Sequence, residues 1–152
     1  MTTLKPGDIA PDFTTIDEEN NTINLKDFRG TKVILFAYPK ANTPGCTAEA
    51  CNLQSNYELL ASKGFKIIGI SVDDAKKQQN FKTKFGFKYP LIPDVEKSIL
   101  KAYGIWGLKK NYGKEYEGIM RTTFIIDENG IIEKVFKKVD TKNHAEQILK
   151  EY

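Results

Sequence analysis

Lys32 to Tyr38 is a nearly unbroken apolar run, and it constrains the fold more than any other segment. A strand with one wet face alternates polar and apolar residues, whereas a strand covered on both faces does not. The run stops at Pro39-Lys40-Ala41-Asn42-Thr43-Pro44-Gly45, which is loop chemistry throughout. Cys46, Ala50, Leu53, Tyr57 and Leu60 then recur at alternating spacings of four and three, the mark of an amphipathic helix, and Gly64 ends it. Phe65 to Val72 reads as a second central strand.

The flanking segments complete this frame. Ala10 to Ile16 and Thr22 to Leu25 read as an N-terminal hairpin around Asp17 to Asn21. Asp73 or Asp74 caps a helix whose inner face carries Phe81 and Phe85. Tyr89 to Ile92 predicts a short strand and Glu96 to Tyr103 a short helix, and the Gly- and Lys-rich stretch Trp106 to Gly118 reads as a loop. Thr122 to Asp127 and Ile131 to Val139 form a hairpin across Glu128-Asn129-Gly130, where the Asn-Gly step favours a primed turn. A helix over about Lys142 to Lys150 closes the chain. Strands alternating with helices early, then a hairpin and a helix, predict an α/β sandwich around a mixed sheet. At 152 residues the chain fits one domain, 1–152, long enough to bury a core without disulfide staples.

Charge and hydropathy narrow the partners. A formal charge of +3, from 23 basic and 20 acidic residues, is too slight to imply nucleic acid. No apolar run approaches the ~20 residues needed to span a bilayer, and Met1 to Pro6 lacks an apolar export segment. A soluble cytoplasmic protein is expected. Only Arg29 and Arg121 among the 23 basic residues are Arg. Each is therefore a pointer to work that needs a planar fork of donors. His144 is the single His, and Cys46 and Cys51 are the two Cys.

Thr43 suits the N-cap and Pro44 the first helical position, which puts Cys46 third, inside the first turn. Unpaired N–H groups and the positive end of the helix dipole stabilise a negative sulfur there, and the thiolate is the reactive form. Cys46 also fits the role of a small buried hydrophobe. A five-residue offset on a helix leaves the two Cα atoms about 8.6 Å apart, while a disulfide needs less than about 7 Å. Either both thiols are structural, or the helix start unwinds once Cys46 is oxidised to a sulfenic acid that Cys51 attacks.

The stretch Phe36 to Cys51, with its Pro-x-x-x-Thr-x-x-Cys core at Pro39, Thr43 and Cys46, resembles the active-site motif of the peroxiredoxins. The second Cys five residues on is similar to the bacterioferritin comigratory protein (peroxiredoxin Q) group. The likeness extends through Gly7 to Phe13, Trp106-Gly107, Lys109 to Gly118, and Arg121 to Asp127; Ala41 departs from it where many members carry Asp.

The resemblance implies a thioredoxin-like fold and a thiol peroxidase acting on hydrogen peroxide and organic hydroperoxides. Cys46 would be the peroxidatic nucleophile and Cys51 the resolving thiol, with Pro39, Thr43 and Arg121 completing the site. Thioredoxin or a similar dithiol protein would regenerate the pair, without metal, flavin or haem, in a monomer or weak dimer. Arg121 offers a permanent cation to the sulfur and to the departing oxygen, Thr43 a hydroxyl, and Pro39 a dry wall without an N–H.

Simpler readings stand beside these. Arg121 fits a surface residue opening a strand, Thr43 an N-cap, and Pro39 a strand terminator. Glu49 suits the helix dipole and needs no catalytic role. One His with two Cys five apart matches no usual zinc spacing. Lys76-Lys77 and Lys109-Lys110 read as solvated surface. Tyr103, Trp106, Tyr112 and Tyr116 read as packing, or as lining for the substrate pocket or the reductant's docking surface. A disulfide oxidoreductase on the same fold lacks its Cys-x-x-Cys here, and a redox sensor or chaperone-like protein would register peroxide without turnover.

Overall fold

The computed structural model describes residues 2–152. A hairpin of β1 (Thr14–Ile16) and β2 (Thr22–Asn24) leads through a 3-10 turn at Leu25–Phe28 to β3 (Lys32–Ala37). Next come α1 (Pro44–Ser55), α2 (Tyr57–Ser62), β4 (Phe65–Ser71), α3 (Ala75–Phe85), β5 (Leu91–Pro93) and α4 (Ser98–Ala102). The chain continues through β6 (Trp106–Asn111), β7 (Lys114–Ile119), β8 (Thr122–Ile126), β9 (Ile132–Phe136) and α5 (His144–Leu149). The central sheet runs β5-β4-β3-β8-β9, with β3, β4 and β5 parallel and β8 antiparallel to both β3 and β9. This is the mixed, helix-flanked sheet of the thioredoxin-like fold.

The unbroken apolar run of β3 follows from its central place. Val33, Leu35 and Ala37 pack with Ala10, Phe13, Leu25, Leu100 and Tyr103 on one face. Ile34, Phe36 and Tyr38 pack on the other with Leu53, Leu60, Phe81, Ala145 and Ile148 from the helices. Burying each large apolar side chain contributes about 1.5–3 kcal/mol, so a polar residue between Val33 and Ala37 would be costly.

Several local expectations need correction. Trp106 to Gly118 is not a loop but the β6–β7 hairpin, paired from Trp106–Ile119 to Asn111–Lys114. Its tip is Tyr112-Gly113, where both residues hold positive φ (51° and 77°), the geometry of a primed two-residue turn. The primed turn expected at Asn129-Gly130 does not form. There only Gly130 takes positive φ (82°), its N–H bonds to Asp127 O, and Asp127 Oδ1 accepts from the N–H groups of Asn129 and Ile131. Tyr112 and Tyr116 are exposed rather than packed, whereas Tyr103 is buried.

The helix after Cys46 also breaks, at Asn56, whose side-chain amide donates to Asn52 O at 2.8 Å. Leu53 and Leu60 are fully buried on either side, so the apolar spacing runs across the break unchanged. Asp74, not Asp73, caps α3, accepting from the Lys77 N–H at 2.8 Å.

Candidate active site

The first turn of α1 forms as its residues dictate. Thr43 is the N-cap with extended backbone (φ −92°, ψ 157°), Pro44 opens the helix, and the Thr47 N–H closes the first bond to Thr43 O at 2.8 Å. The N–H groups of Gly45 and Cys46 precede that bond and have no partner within the helix. The Thr43 side chain, however, makes no cap bond; its hydroxyl donates to Lys40 O at 2.8 Å. Cys46, Glu49, Ala50 and Leu53 form the buried stripe of α1.

The loop between β3 and α1 is held from the side. The Ala41 N–H donates to Asp73 Oδ2 at 2.7 Å, and the Ser71 hydroxyl donates to the same oxygen at 2.7 Å. Gln78 Nε2 donates to Ser71 Oγ at 2.9 Å, and the Tyr38 hydroxyl donates to Gln78 Oε1. A buried polar chain thus joins the end of β3, the loop, β4 and α3, and it explains why Asp73 is not the helix cap.

Arg121 reaches this turn through strand register. Ala37 pairs with Thr122, so Arg121 stands beside the end of β3 where the loop departs. Its Nη2 donates to Cys46 Sγ at 3.3 Å and its Nη1 to Glu49 Oε1 at 2.6 Å. A Cβ on Gly45 would lie 3.3 Å from that Nη2, so the absent side chain gives the guanidinium its room. The surface reading of Arg121 fails, since only 23% of its side chain is exposed.

Glu49 is fully buried, and burial pushes its carboxyl up to about 7 against the opposing pull of Arg121. His144, also buried, brings Nε2 to 3.6 Å from Glu49 Oε2. Cys51 is partly buried further along α1, and burial pushes its thiol up. Both cysteines are free thiols.

The structure therefore brings Cys46 and Arg121 into contact, with Gly45 and Glu49 as their immediate company. Cys51 shares the helix without bonding to Cys46, and the Thr43 hydroxyl is turned to its own loop. Glu49, read from the sequence only as suiting the helix dipole, is instead the buried partner of Arg121. The signal was present, because it falls in the 46, 49, 50, 53 stripe, where a charge must find a partner. A cleft of about 270 Å³ adjoins Arg121, lined also by Thr2, Lys109, Met120, Thr122 and Lys137.

Comparison with known proteins agrees with this geometry. The chain belongs to the AhpC/TSA family, which matches residues 6–135, and within it to the peroxiredoxins, enzymes that reduce peroxides with a thiol. It is 42% identical over 149 residues to peroxiredoxin Bcp of Escherichia coli, covering 98% of this chain and 96% of that protein. A peroxiredoxin Q of Xylella fastidiosa superposes with a TM-score of 0.92 at 26% identity, over 99% of this chain and 96% of the other. The bacterioferritin comigratory protein of Xanthomonas campestris, described for its alkyl peroxide reduction activity, superposes with a TM-score of 0.86 at 27% identity, over 99% and 96%. Among the described residues no helix is long and apolar enough to cross a membrane.

Proposed function

We propose that Cys46 is the peroxidatic cysteine of this thiol peroxidase and Cys51 its resolving partner. The carrying observation is the 3.3 Å contact between Arg121 Nη2 and Cys46 Sγ at the helix start. The Cys46 thiolate attacks one peroxide oxygen; an S–O bond forms and the O–O bond breaks. The other oxygen leaves as hydroxide or alkoxide and takes a proton, giving water or an alcohol. Negative charge moves from sulfur to oxygen, and a fixed cation beside that path lowers the barrier. Arg121 supplies it. Thr43, at the N-cap, keeps its hydroxyl lone pairs for the peroxide O–H, and Pro39 forms a wall that offers no competing N–H. The Cys51 thiol then displaces water from the sulfenic acid to form the disulfide.

Thioredoxin or a similar dithiol protein in the cytoplasm returns the disulfide to two thiols, with the chain working as a monomer or weak dimer. Organic hydroperoxides are substrates alongside hydrogen peroxide, a reading supported by the likeness to the Xanthomonas campestris protein described for alkyl peroxide reduction. The test is consumption of NADPH with thioredoxin, thioredoxin reductase and either hydrogen peroxide or tert-butyl hydroperoxide. Many equivalents of peroxide should be consumed per chain. Arrest near one equivalent would instead make the protein a sensor.

A further inference from the structure

Behind Arg121 lies a buried titratable group that the reaction above does not use. His144 opens α5, fully buried, its ring edge-on to Phe136 with centroids 5.9 Å apart. Its tautomer is fixed from outside. Gln147 Oε1 accepts from the Asp140 N–H at 3.0 Å, and Gln147 Nε2 donates to Lys138 O at 2.8 Å. The amide oxygen must therefore be the atom 2.8 Å from His144 Nδ1, and Nδ1 carries the hydrogen. A neutral His144 then presents a lone pair at Nε2, which faces the Thr123 hydroxyl at 2.8 Å and Glu49 Oε2 at 3.6 Å.

Glu49 Oε2 is buried and has no hydrogen-bond partner, while Oε1 holds Arg121. As an ionised oxygen it would bear the desolvation cost of an unpaired acceptor. As an O–H it finds an acceptor at Nε2 after a movement of under about 1 Å, with the Thr123 hydroxyl turning aside. Arg121 meanwhile faces two potential anions, Cys46 and Glu49, with one positive charge. In a buried site that charge can compensate one of them in full.

We propose that Glu49 and His144 hold one proton between Oε2 and Nε2, and that this proton keeps Glu49 from competing with the Cys46 thiolate for Arg121. His144 is thereby a positioning residue for peroxide reduction, acting through Glu49 and Arg121. The inference rests on Cys46 being the nucleophile. Burial pushes the Glu49 carboxyl up and the His144 imidazole down, so the proton resides on Glu49. Arg121 acts on both members of the pair and Asp140 on His144, while Tyr89 stands within the field of Glu49 and Cys46 faces the same guanidinium. Above neutrality Glu49 loses the proton to solvent, claims the guanidinium, and the sulfur loses its counter-charge.

The test uses single-turnover peroxide reduction in full-length Cys51→Ser protein, alone and with Glu49→Gln, His144→Phe, or both. The amide introduced by Glu49→Gln would keep an oxygen for Arg121 and an N–H for His144 at every pH. The rate of Glu49→Gln relative to its parent should rise roughly tenfold between pH 6 and 8.5. His144→Phe removes the acceptor and should shift the alkaline fall of the parent to lower pH, but do nothing to the profile once Glu49→Gln is present. A merely structural His144 would move neither profile. Should His144→Phe not fold, nitrogen-15 NMR of His144 in the parent decides, with a neutral Nδ1–H ring expected at pH 7 and an imidazolium contradicting the pair. A normal peroxide burst with a flat Glu49→Gln ratio overturns this inference alone. No burst in Cys51→Ser overturns the assignment of Cys46, and this inference with it.

Discussion

Arg121 Nη2 donates to Cys46 Sγ across 3.3 Å, although 75 residues separate the two in the chain. The register that sets Ala37 opposite Thr122 delivers the guanidinium, and the N-cap at Thr43 delivers the sulfur. Arg121 itself lies one residue before β8, in the short connection from β7, so the register of β8 on β3 and the first turn of α1 together set the contact. Regular elements hold such a constellation more tightly than loops do, which is what a charge aimed at a transition state requires.

Removing that donor should be costly for rate, and because it leaves buried Glu49 Oε1 without its partner the fold should persist at reduced stability. Arg121→Ala should slow peroxide reduction by on the order of 10²–10³, while its circular dichroism stays native. Arg121→Lys should recover only part, because a point charge cannot serve Glu49 and Cys46 together as the fork does. Stopped-flow peroxide reduction on folded variants checks both.

Gly45→Ala should separate stability from activity. The new methyl would meet Arg121 Nη2 at 3.3 Å, and the guanidinium has little room to yield because Glu49 holds it at 2.6 Å. The rate should fall several-fold. The helix itself should gain up to about 1 kcal/mol, the ordinary preference for Ala over Gly. Urea unfolding beside the peroxide rate shows whether the two move in opposite directions.

The buried Glu49 predicts a pH-dependent stability. Its carboxyl sits at about 7 when folded, above its ordinary 4.5, so folding favours its protonated form. That stabilisation is complete below pH 4.5 and is lost as pH rises through 7. By linkage the loss amounts to at most about 3 kcal/mol. Glu49→Gln lacks the titration, so wild type should lose stability relative to it across this window in urea titrations. A constant difference from pH 4.5 to 8.5 would contradict a raised Glu49.

How much of this was legible in the sequence follows from which forces act locally. Thr43, Pro44 and Cys46 fix the helix start by backbone preferences, and the structure places all three as read. The apolar β3 run declared a strand covered on both faces. The β6–β7 hairpin did not declare itself because Lys109, Lys110, Lys114, Glu115 and Glu117 dilute any alternation, and pairing rather than burial holds it. Its turn, Tyr112-Gly113, carries a weaker signature than Asn129-Gly130, where Asp127 captures the backbone instead. The joining of Glu49, Arg121 and His144 was hidden for another reason: it depends on strand register and on where α5 docks. No local pattern encodes either.

Oxidation should open the start of α1. Cys46 and Cys51 are free thiols on one continuous helix, and their five-residue offset is too long for an unstrained disulfide. Terminal turns open at the least cost, and Gly45 weakens this one further. Amide exchange over residues 43–55 should be faster in the disulfide form than in the dithiol form, with β3 protected in both. Equal protection of α1 in a protein with a confirmed Cys46–Cys51 bond would contradict the unwinding.

The most direct test of the account is mass spectrometry of the two single-cysteine variants after one equivalent of hydrogen peroxide and dimedone. Cys51→Ser should consume the peroxide once and carry the dimedone adduct of a sulfenic acid on Cys46. Cys46→Ser should consume almost none, because a serine hydroxyl offers no accessible anion near neutral pH. Rapid peroxide consumption by Cys46→Ser, with the adduct on Cys51, would contradict the account at its centre.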